Sequence, residues 1–289
     1  MAEISIHYTG DLVRNHHVSL KILSITTSCL QGAVNRAYLD NKHGGVWKHA
    51  RISGLDYEAV AFWVGPAQKG GFVLDAICNT SIGKSIANRL SAALNPVYEK
   101  IKSESIEEAV SLNSQVPTVA ASLSTNGPLT YEDFIKTTSE LSSHTYGDRS
   151  ILKEIDHLLS VLRSKNSGES QLELTVEGDN PTSYQFGRTN SHNFHKHVAK
   201  RALALPVLYY GVIDRLDRKN RSGRFINQFN ERSCSIYFQN DQDFLIAHPY
   251  LAKGTVGIIA SPILEYGSFD MNSGDLFFIK LGPGYGRDI

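Results

Sequence analysis

Cysteine is scarce in this sequence: the 289 residues contain three, Cys29, Cys78 and Cys234. Their number is odd and their spacing wide, so they form neither an even disulfide framework nor a Cys-x-x-Cys pair of the kind that holds zinc. Free cysteine is most often a small buried apolar residue. We therefore expect three reduced thiols in the core, which suits a cytoplasmic protein.

Long apolar runs are also missing. No stretch approaches the roughly 18 to 20 uninterrupted apolar residues that a membrane helix requires. The first residues pass directly into an alternating pattern at Glu3–Thr9, without the charged and apolar regions of a signal peptide. The sequence predicts a cytoplasmic protein with no membrane partner.

Catalytic motifs are equally scarce. The chain has no Gly-x-Ser-x-Gly elbow, and its adjacent carboxylates, such as Glu107-Glu108 and Glu132-Asp133, lie in polar surroundings typical of solvated faces. We assign no catalytic residue, no cofactor and no metal, and we expect a protein that is not an enzyme.

The first hundred residues combine strand and helix patterns. Glu3–Thr9 alternates apolar and polar residues, as a half-buried strand does, and 18–39 follows a helical period. Two β-rich stretches, 57–64 and 71–78, flank the turn-forming sequence Gly-Pro-Ala-Gln-Lys-Gly. This order predicts an α+β domain over 1–101, with helices on one face of a small mixed or antiparallel sheet.

The middle of the chain, 102–204, is predicted to be a linker and helical segment with one strand. Residues 102–129 are rich in Ser, Thr, Asn, Pro and Gly and resemble a connector. Thr130-Tyr-Glu-Asp is a capping box that opens a helix toward Leu141. The patterns then predict a helix over 150–163, a strand over 171–177 and a helix over 191–203.

From residue 205 to 289 the pattern is that of β-strands. The strands are predicted at 207–216, 223–229, 234–239, 244–248, 255–263 and 276–281, with a hairpin at Asn240-Asp241. Five or six short strands in this length close into a small barrel of the OB or SH3-like kind, which leaves no exposed edge.

These patterns together resemble those of an uncharacterised family of bacterial and prophage proteins. The resemblance rests on an N-terminal strand and long helix, a hairpin whose second strand reads Gly-Gly-Phe-Val-Leu-Asp, and the C-terminal barrel. It implies a setting in a mobile element or phage defence, and it carries no catalytic residue.

The stretch Phe72-Val-Leu-Asp-Ala-Ile-Cys-Asn-Thr-Ser-Ile-Gly-Lys-Ser85 raises the hypothesis of an atypical P-loop NTPase. Gly83, Lys84 and Ser85 match the end of the phosphate-binding motif, but Cys78 stands where its first glycine belongs. The alternative is that Asn79, Thr80 or Ser81 caps a helix. We favour the cap.

Four histidines raise the question of a metal site: His192, His195 and His197, with His248 approaching through tertiary folding. On a helix His192 and His195 face together, but His197 points away from His195, and no acidic residue lies between Asp179 and Asp214. We interpret these histidines as exposed or capping residues.

Charge is divided unevenly although the formal net charge is zero. Residues 188–232 hold ten basic residues against three acidic ones, whereas 99–179 hold fourteen acidic against seven basic. A stripe of His192, Lys196 and Lys200 is predicted on one helix face. Tyr209, Tyr210, Phe225 and Phe229 stand near the basic loop 217–224 as stacking candidates. The residues predicted to bind nucleic acid or an acidic partner are Lys196, Lys200, Arg201, Arg215, Arg218, Lys219, Arg221 and Arg224.

Three function classes follow. The first is a non-enzymatic interaction or assembly protein that self-associates or binds a protein partner, within a bacterial phage-defence or mobile-element system. The second is a nucleic-acid-binding protein that uses the basic segment 188–232, and the third is the NTPase at 78–85. We favour the first, because a strongly basic charge over the whole domain, usual in nucleic-acid binders, is missing.

Overall fold

The computed structural model describes residues 2–65, 72–103, 106, 108–141 and 145–284. The chain forms two compact units, each built from two separate stretches. The sheet unit comprises Met1–Glu108 and Tyr146–Ala199, and the barrel unit comprises Ala109–Thr145 and Lys200–Ile289. The segment 102–204 therefore contributes residues to both units.

The elements alternate between the units along the chain. The helices are α1 (Leu20–His43), α2 (Ser81–Ser103), α3 (Leu112–Asn126), α4 (Tyr131–Leu141), α5 (Tyr146–Leu159), α6 (Arg188–Val198) and α7 (Asp241–Ala247). The strands are β1 (Ala2–Thr9), β2 (Trp63–Val64), β3 (Phe72–Cys78), β4 (Gln171–Glu177), β5 (Thr182–Phe186), β6 (Arg201–Leu203), β7 (Val207–Asp217), β8 (Ser222–Asn227), β9 (Ser233–Tyr237), β10 (Val256–Glu265) and β11 (Leu276–Leu281). No described helix is both long enough and apolar enough to cross a membrane.

The sheet unit contains an antiparallel sheet in the order β2-β3-β1-β4-β5. Helices α2 and α6 contact the sheet, and α1 and α5 pack on each other and on these helices. Every second residue of β1, including Ile4, Ile6 and Tyr8, is buried, which explains the alternation in the sequence. The buried Tyr8 hydroxyl lies 2.8 Å from the hydroxyl of Thr26 on α1. The helix side of the sheet is therefore its apolar side.

A partly buried ion cluster connects three helices of the sheet unit. The Arg89 guanidinium on α2 contacts the carboxylates of Asp40 on α1, at 2.6 Å, and Asp148 on α5, at 2.8 Å. The three side chains are 13 to 22% exposed, so their charges are removed from most of the solvent. Such a cluster fixes the relative position of the helices, because removing one partner leaves the others poorly solvated.

The barrel unit contains a closed five-stranded barrel. Its strands follow the order β11-β9-β8-β7-β10, and β10 pairs with β11 to close the ring. β9 and β11 run parallel, whereas the other neighbours are antiparallel. The first three strands of the barrel, β7, β8 and β9, form a meander, α7 follows β9, and the fifth strand, β11, lies beside β9. Of the two predicted barrel types, OB and SH3-like, this arrangement is the OB type.

The barrel interior is filled by large apolar side chains, including Tyr209, Phe225, Ile258 and Phe278, and Phe134 of α4 joins the same cluster. β6 pairs with β10 outside the ring. The Gln115 side chain on α3 donates to the carbonyl of Arg201 and accepts from the amide of Leu203, which attaches α3 to β6.

The predicted fold class is confirmed, and several elements match closely. β4 and β11 have the predicted bounds. The Thr130 hydroxyl accepts the amide of Asp133 at 3.1 Å, which is the N-cap half of the predicted capping box, and it donates to the Asp133 carboxylate. All three cysteines are buried free thiols, and burial raises the pKa of Cys29 to about 11.

Two predicted non-helical segments are wrong because side-chain caps start helices there. The predicted connector 102–129 contains α3, whose N-cap Ser111 accepts the amide of Ser114. The predicted strand 244–248 and the hairpin at Asn240-Asp241 are instead α7, because the Asn240 side chain accepts the amide of Asp243. Asn240 is thus a helix cap rather than a hairpin residue.

Three further elements of the structure differ from the sequence prediction. Of the predicted strand 57–64, residues 63–64 form β2 and Glu58–Val60 forms a 3₁₀ turn. A second 3₁₀ turn, Gly54–Asp56, precedes it, and there the Asp56 carboxylate accepts the hydroxyl of Ser53. The predicted helix 191–203 ends at Val198, and its last residues belong to β6. β5 was not predicted.

Replacing Arg89 with Leu is expected to destabilise the sheet unit by about 2 to 4 kcal/mol, because two poorly exposed carboxylates lose their cation. Urea unfolding followed by tryptophan fluorescence measures this, since Trp47 and Trp63 both belong to the sheet unit. The matched control is Arg14→Leu at an exposed position, which should change stability by less than about 0.5 kcal/mol. Equal effects of the two substitutions would contradict the structural role of the cluster.

Candidate nucleic-acid interface

The turn between β7 and β8 concentrates exposed positive charge. Between positions 214 and 224 the chain carries five basic residues and two acidic ones. We call the five basic residues the basic hairpin, and all of their side chains are exposed: Arg215, Arg218, Lys219, Arg221 and Arg224. The surface of the barrel is therefore strongly cationic at this turn.

Local hydrogen bonds fix the shape of the basic hairpin. The Asp217 carboxylate accepts both the backbone amide and the side-chain amide of Asn220, and these bonds lower the pKa of Asp217. Arg221 has a left-handed backbone conformation, with φ of 47°, and its guanidinium donates to the carbonyl of Gln239. One of the two acids in the turn is thus used to build it.

A register shift between Ile213 and Arg215 brings Arg215 opposite Arg224. β8 tolerates the shift at Gly223, where a Cβ atom would lie 2.6 Å from the carbonyl oxygen of Arg215. Two guanidinium groups consequently stand on adjacent strands of the same face.

The acids near the basic hairpin compensate it only weakly. The Asp214 carboxylate lies 3.8 Å from Arg224, and Asp241 lies 3.6 Å from Arg218. All four side chains are about half exposed or more, at 48 to 68%. Ion pairs at this exposure are screened by water and salt and contribute little, so the guanidinium groups stay available for an anionic ligand.

β9 continues this surface with small polar residues and one aromatic ring. Ser235 pairs with Arg224, and Tyr237 pairs with Ser222. The Tyr237 side chain is partly exposed, and the Arg201 guanidinium carbon lies 5.9 Å from its ring centre. The outer face of β8 and β9 therefore offers cations and an aromatic ring on neighbouring strands.

A cleft of about 240 Å³, which we call the α3 cleft, opens at one end of this face. It lies between the first residues of α3, the turn of the basic hairpin and the Phe238 and Phe277 rings. Its polar lining residues include Ser111, Asn113, Arg201, Asn220, Arg221 and Tyr237. Of the described residues that line it, none carries a carboxylate.

The structure corrects two of the four stacking candidates, because Tyr209 and Phe225 are buried inside the barrel. Tyr210 is half-buried, and Phe229, which is 49% exposed, stacks on Tyr131 with 4.8 Å between the ring centres. Tyr237 was missed, although the alternation Ser-Cys-Ser-Ile-Tyr puts it on the same face as Ser233 and Ser235. That face becomes recognisable only once the pairing of β8 with β9 is known.

The remaining predicted basic residues separate between the two units. Lys196 lies on α6 in the sheet unit, 3.2 Å from Glu108, whereas Lys200 and Arg201 begin the second stretch of the barrel unit. The predicted stripe of His192, Lys196 and Lys200 on one helix is wrong, because α6 ends at Val198. Only Arg201 of these residues lines the α3 cleft.

The Gly83-Lys84-Ser85 sequence forms the start of α2. The Thr80 hydroxyl accepts the amide of Gly83, as a helix cap does, and a Cβ atom on Gly83 would lie 2.6 Å from the sulfur of Cys78. Lys84 pairs with Asp179, and the Ser85 hydroxyl accepts from Asn41. These contacts favour the cap, and the antiparallel sheet lacks the parallel strands that accompany a P-loop.

One of the four candidate histidines, His195, contacts a carboxylate. His195 Nδ1 lies 2.8 Å from the carboxylate of Asp156, which also pairs with Arg163. Burial lowers the pKa of His192, with a further contribution from the Arg163 charge. His248 follows α7 in the barrel unit, beside the Phe244 ring. Within the described ranges no three potential metal ligands come together.

Replacing Gly83 with Ala is expected to destabilise the sheet unit by about 1 to 3 kcal/mol, because its Cβ would overlap Cys78. Replacing Thr80 with Ala should cost about 1 kcal/mol through loss of the cap. Urea unfolding of both variants measures these costs. Mg-ATP and Mg-GTP at millimolar concentration should leave the unfolding temperature of the parent unchanged, and a nucleotide-dependent rise would restore the NTPase hypothesis.

Comparison of the chain with models of protein families, with curated proteins and with solved structures found no match.

Proposed function

We propose that the protein binds single-stranded nucleic acid on the outer face of β8 and β9. The basic hairpin contacts the phosphates, and Tyr237 provides a surface on which a base stacks. The observation that carries this proposal is the position of five exposed cations beside a partly exposed aromatic ring on adjacent strands of a closed barrel.

The charge distribution supports phosphate as the ligand group. Each phosphate neutralised by a Lys or Arg side chain releases condensed counterions, which makes such sites favourable at low salt. Arg215 and Arg224 face each other across β7 and β8, and Arg218 and Lys219 extend from the turn. Guanidinium groups also offer several donors in a fork that matches phosphate oxygens.

The barrel type supports a single strand rather than a duplex. In OB-type barrels the second and third strands, with the loop that joins the first two, form a ligand surface for oligonucleotides. Here the second and third strands are β8 and β9, and the loop is the turn between β7 and β8 that carries the basic hairpin. Cations that follow a backbone together with a ring that stacks on bases suit unpaired nucleotides, whose faces are accessible. Fold alone does not assign function, so the side chains decide the argument.

Self-association, the class favoured from sequence, is the second candidate. The observation in its favour is a group of exposed apolar side chains around the edge strand β2: Leu55, Tyr57, Trp63 and Val64. An exposed apolar edge is a typical pairing site for another chain. This group lies in the sheet unit and makes no use of the basic hairpin, so both functions are compatible.

The test replaces Arg215, Arg218 and Lys219 with Glu and measures binding of labelled single-stranded DNA, RNA and duplex by fluorescence anisotropy. Arg221 is left intact because it contacts the carbonyl of Gln239. The parent should bind single strands more tightly than duplex. At about 50 mM salt the triple variant should bind at least about tenfold more weakly, and its salt slope should be smaller by about 2, from roughly 0.7 for each lost contact.

The matched control carries the same charge change in the sheet unit: Arg14→Glu, Lys21→Glu and Lys165→Glu, all at exposed positions. It should retain the affinity and salt slope of the parent to within about twofold, apart from long-range screening effects. Equal loss in both triple variants would mean that net charge alone governs binding. A parent that binds no single strand at low salt would refute the proposal.

A further inference from the structure

The α3 cleft is rich in hydrogen-bond donors. α3 has 15 residues, and the backbone amides of its first turn have no partner inside the helix, although Ser111 accepts that of Ser114. Asn113 adds a side-chain amide, and Asn220 adds a second one that also donates to Asp217. Arg201 and Arg221 add guanidinium groups, of which that of Arg221 also donates to the carbonyl of Gln239. The described lining residues thus supply two cations, two side-chain amides and the start of a helix, and none of them carries a carboxylate. The ligand that matches such a lining is an anion.

Two carboxylates and a backbone hydrogen bond hold Arg201 in place. Its guanidinium lies 3.7 Å from the carboxylate of Glu265 and 3.8 Å from that of Asp275, and its backbone carbonyl accepts from Gln115. Neither carboxylate lines the cleft. These contacts restrict the Arg201 side chain, so that binding a ligand there costs less side-chain ordering.

The geometry points to the α3 cleft as a site for a phosphomonoester, which we propose is the terminal phosphate of a bound single strand. This inference rests on the proposed function, because the basic hairpin and the cleft share Arg221, so that a strand lying on the hairpin reaches the cleft at one end. A terminal phosphate carries about −1.5 to −2 charges at neutral pH and three acceptor oxygens, whereas an internal phosphodiester carries one charge. The larger charge and the additional acceptor match the converging donors of the cleft.

The discriminating variant is Asn113→Asp. Asn113 is exposed at the second position of α3, where a carboxylate is favourable for the helix, so the fold is expected to survive. The same carboxylate stands in the cleft and repels a phosphate. Gln242→Glu is the matched control, since Gln242 is exposed at the second position of α7 in the same unit and acquires the same charge.

The experiment measures anisotropy with one DNA sequence in three forms, bearing a 5′-phosphate, a 3′-phosphate or hydroxyl groups at both ends. In the parent, one of the phosphorylated forms should bind about tenfold more tightly than the hydroxyl form, as expected for one charge-assisted interaction. The ratio should fall to about one in Asn113→Asp and stay near the parent value in Gln242→Glu. Inorganic phosphate in excess should abolish the preference without preventing binding.

The outcomes separate this inference from the proposed function. If the parent binds all three forms equally, the cleft is not a terminal-phosphate site and the proposed function stands. If no oligonucleotide binds, but thymidine 5′-monophosphate raises the unfolding temperature and thymidine does not, the proposed function falls and the cleft remains a phosphomonoester site. If neither oligonucleotide nor monophosphate binds, both are refuted.

Discussion

Pairing between β10 and β11 closes the barrel, and the surface that we assign to nucleic acid depends on this closure. β11 also lies parallel to β9, so the closing strand fixes the third strand of the meander. With β9 held, Ser235 and Tyr237 stand opposite Arg224 and Ser222. An open sheet would leave the register of β8 and β9 less constrained, and a shift by one residue would move every side chain to the other face.

Although the net charge of the chain is zero, enclosed and exposed charges occupy different regions of the structure. In the sheet unit, the Arg89 guanidinium is enclosed with two carboxylates, and the three side chains are 13 to 22% exposed. In the basic hairpin the nearby acids lie at 3.6 to 3.8 Å on exposed side chains. The enclosed charges around Arg89 hold helices together, whereas the exposed charges of the basic hairpin stay available for a ligand. Net charge over the whole chain is therefore a poor guide to binding here.

The sequence predicted those features that depend on local periodicity. The α+β class, the bounds of β4 and β11, the Thr130 cap and the barrel all follow from alternation, helical period or turn chemistry. The wrong predictions at Asn240 and Ser111 share one cause, because Asn and Ser are common in loops as well as at helix caps. Only the packing of the helix that follows decides between the two, as Phe244 and Ala247 do by entering the barrel core.

The candidate site was predictable in part. The basic hairpin was found because its residues are adjacent in sequence, whereas the α3 cleft joins positions near 111, 201, 220 and 237 that only tertiary structure brings together. The same dependence on tertiary structure explains why two of the stacking candidates were wrong. Tyr209 and Phe225 are close to the basic residues in sequence, yet strand alternation turns them into the core, and Tyr237 enters through pairing across strands.

Photocrosslinking tests the central claim most directly. A single-stranded oligonucleotide containing 5-iodouracil, irradiated in complex with the full chain and analysed by mass spectrometry, reports which aromatic side chain stacks on its bases. The account predicts a crosslink at Tyr237 that is lost in Tyr237→Leu while the fold is retained. A bound oligonucleotide that instead crosslinks to the exposed Trp63 of the sheet unit, with none at Tyr237, would contradict it.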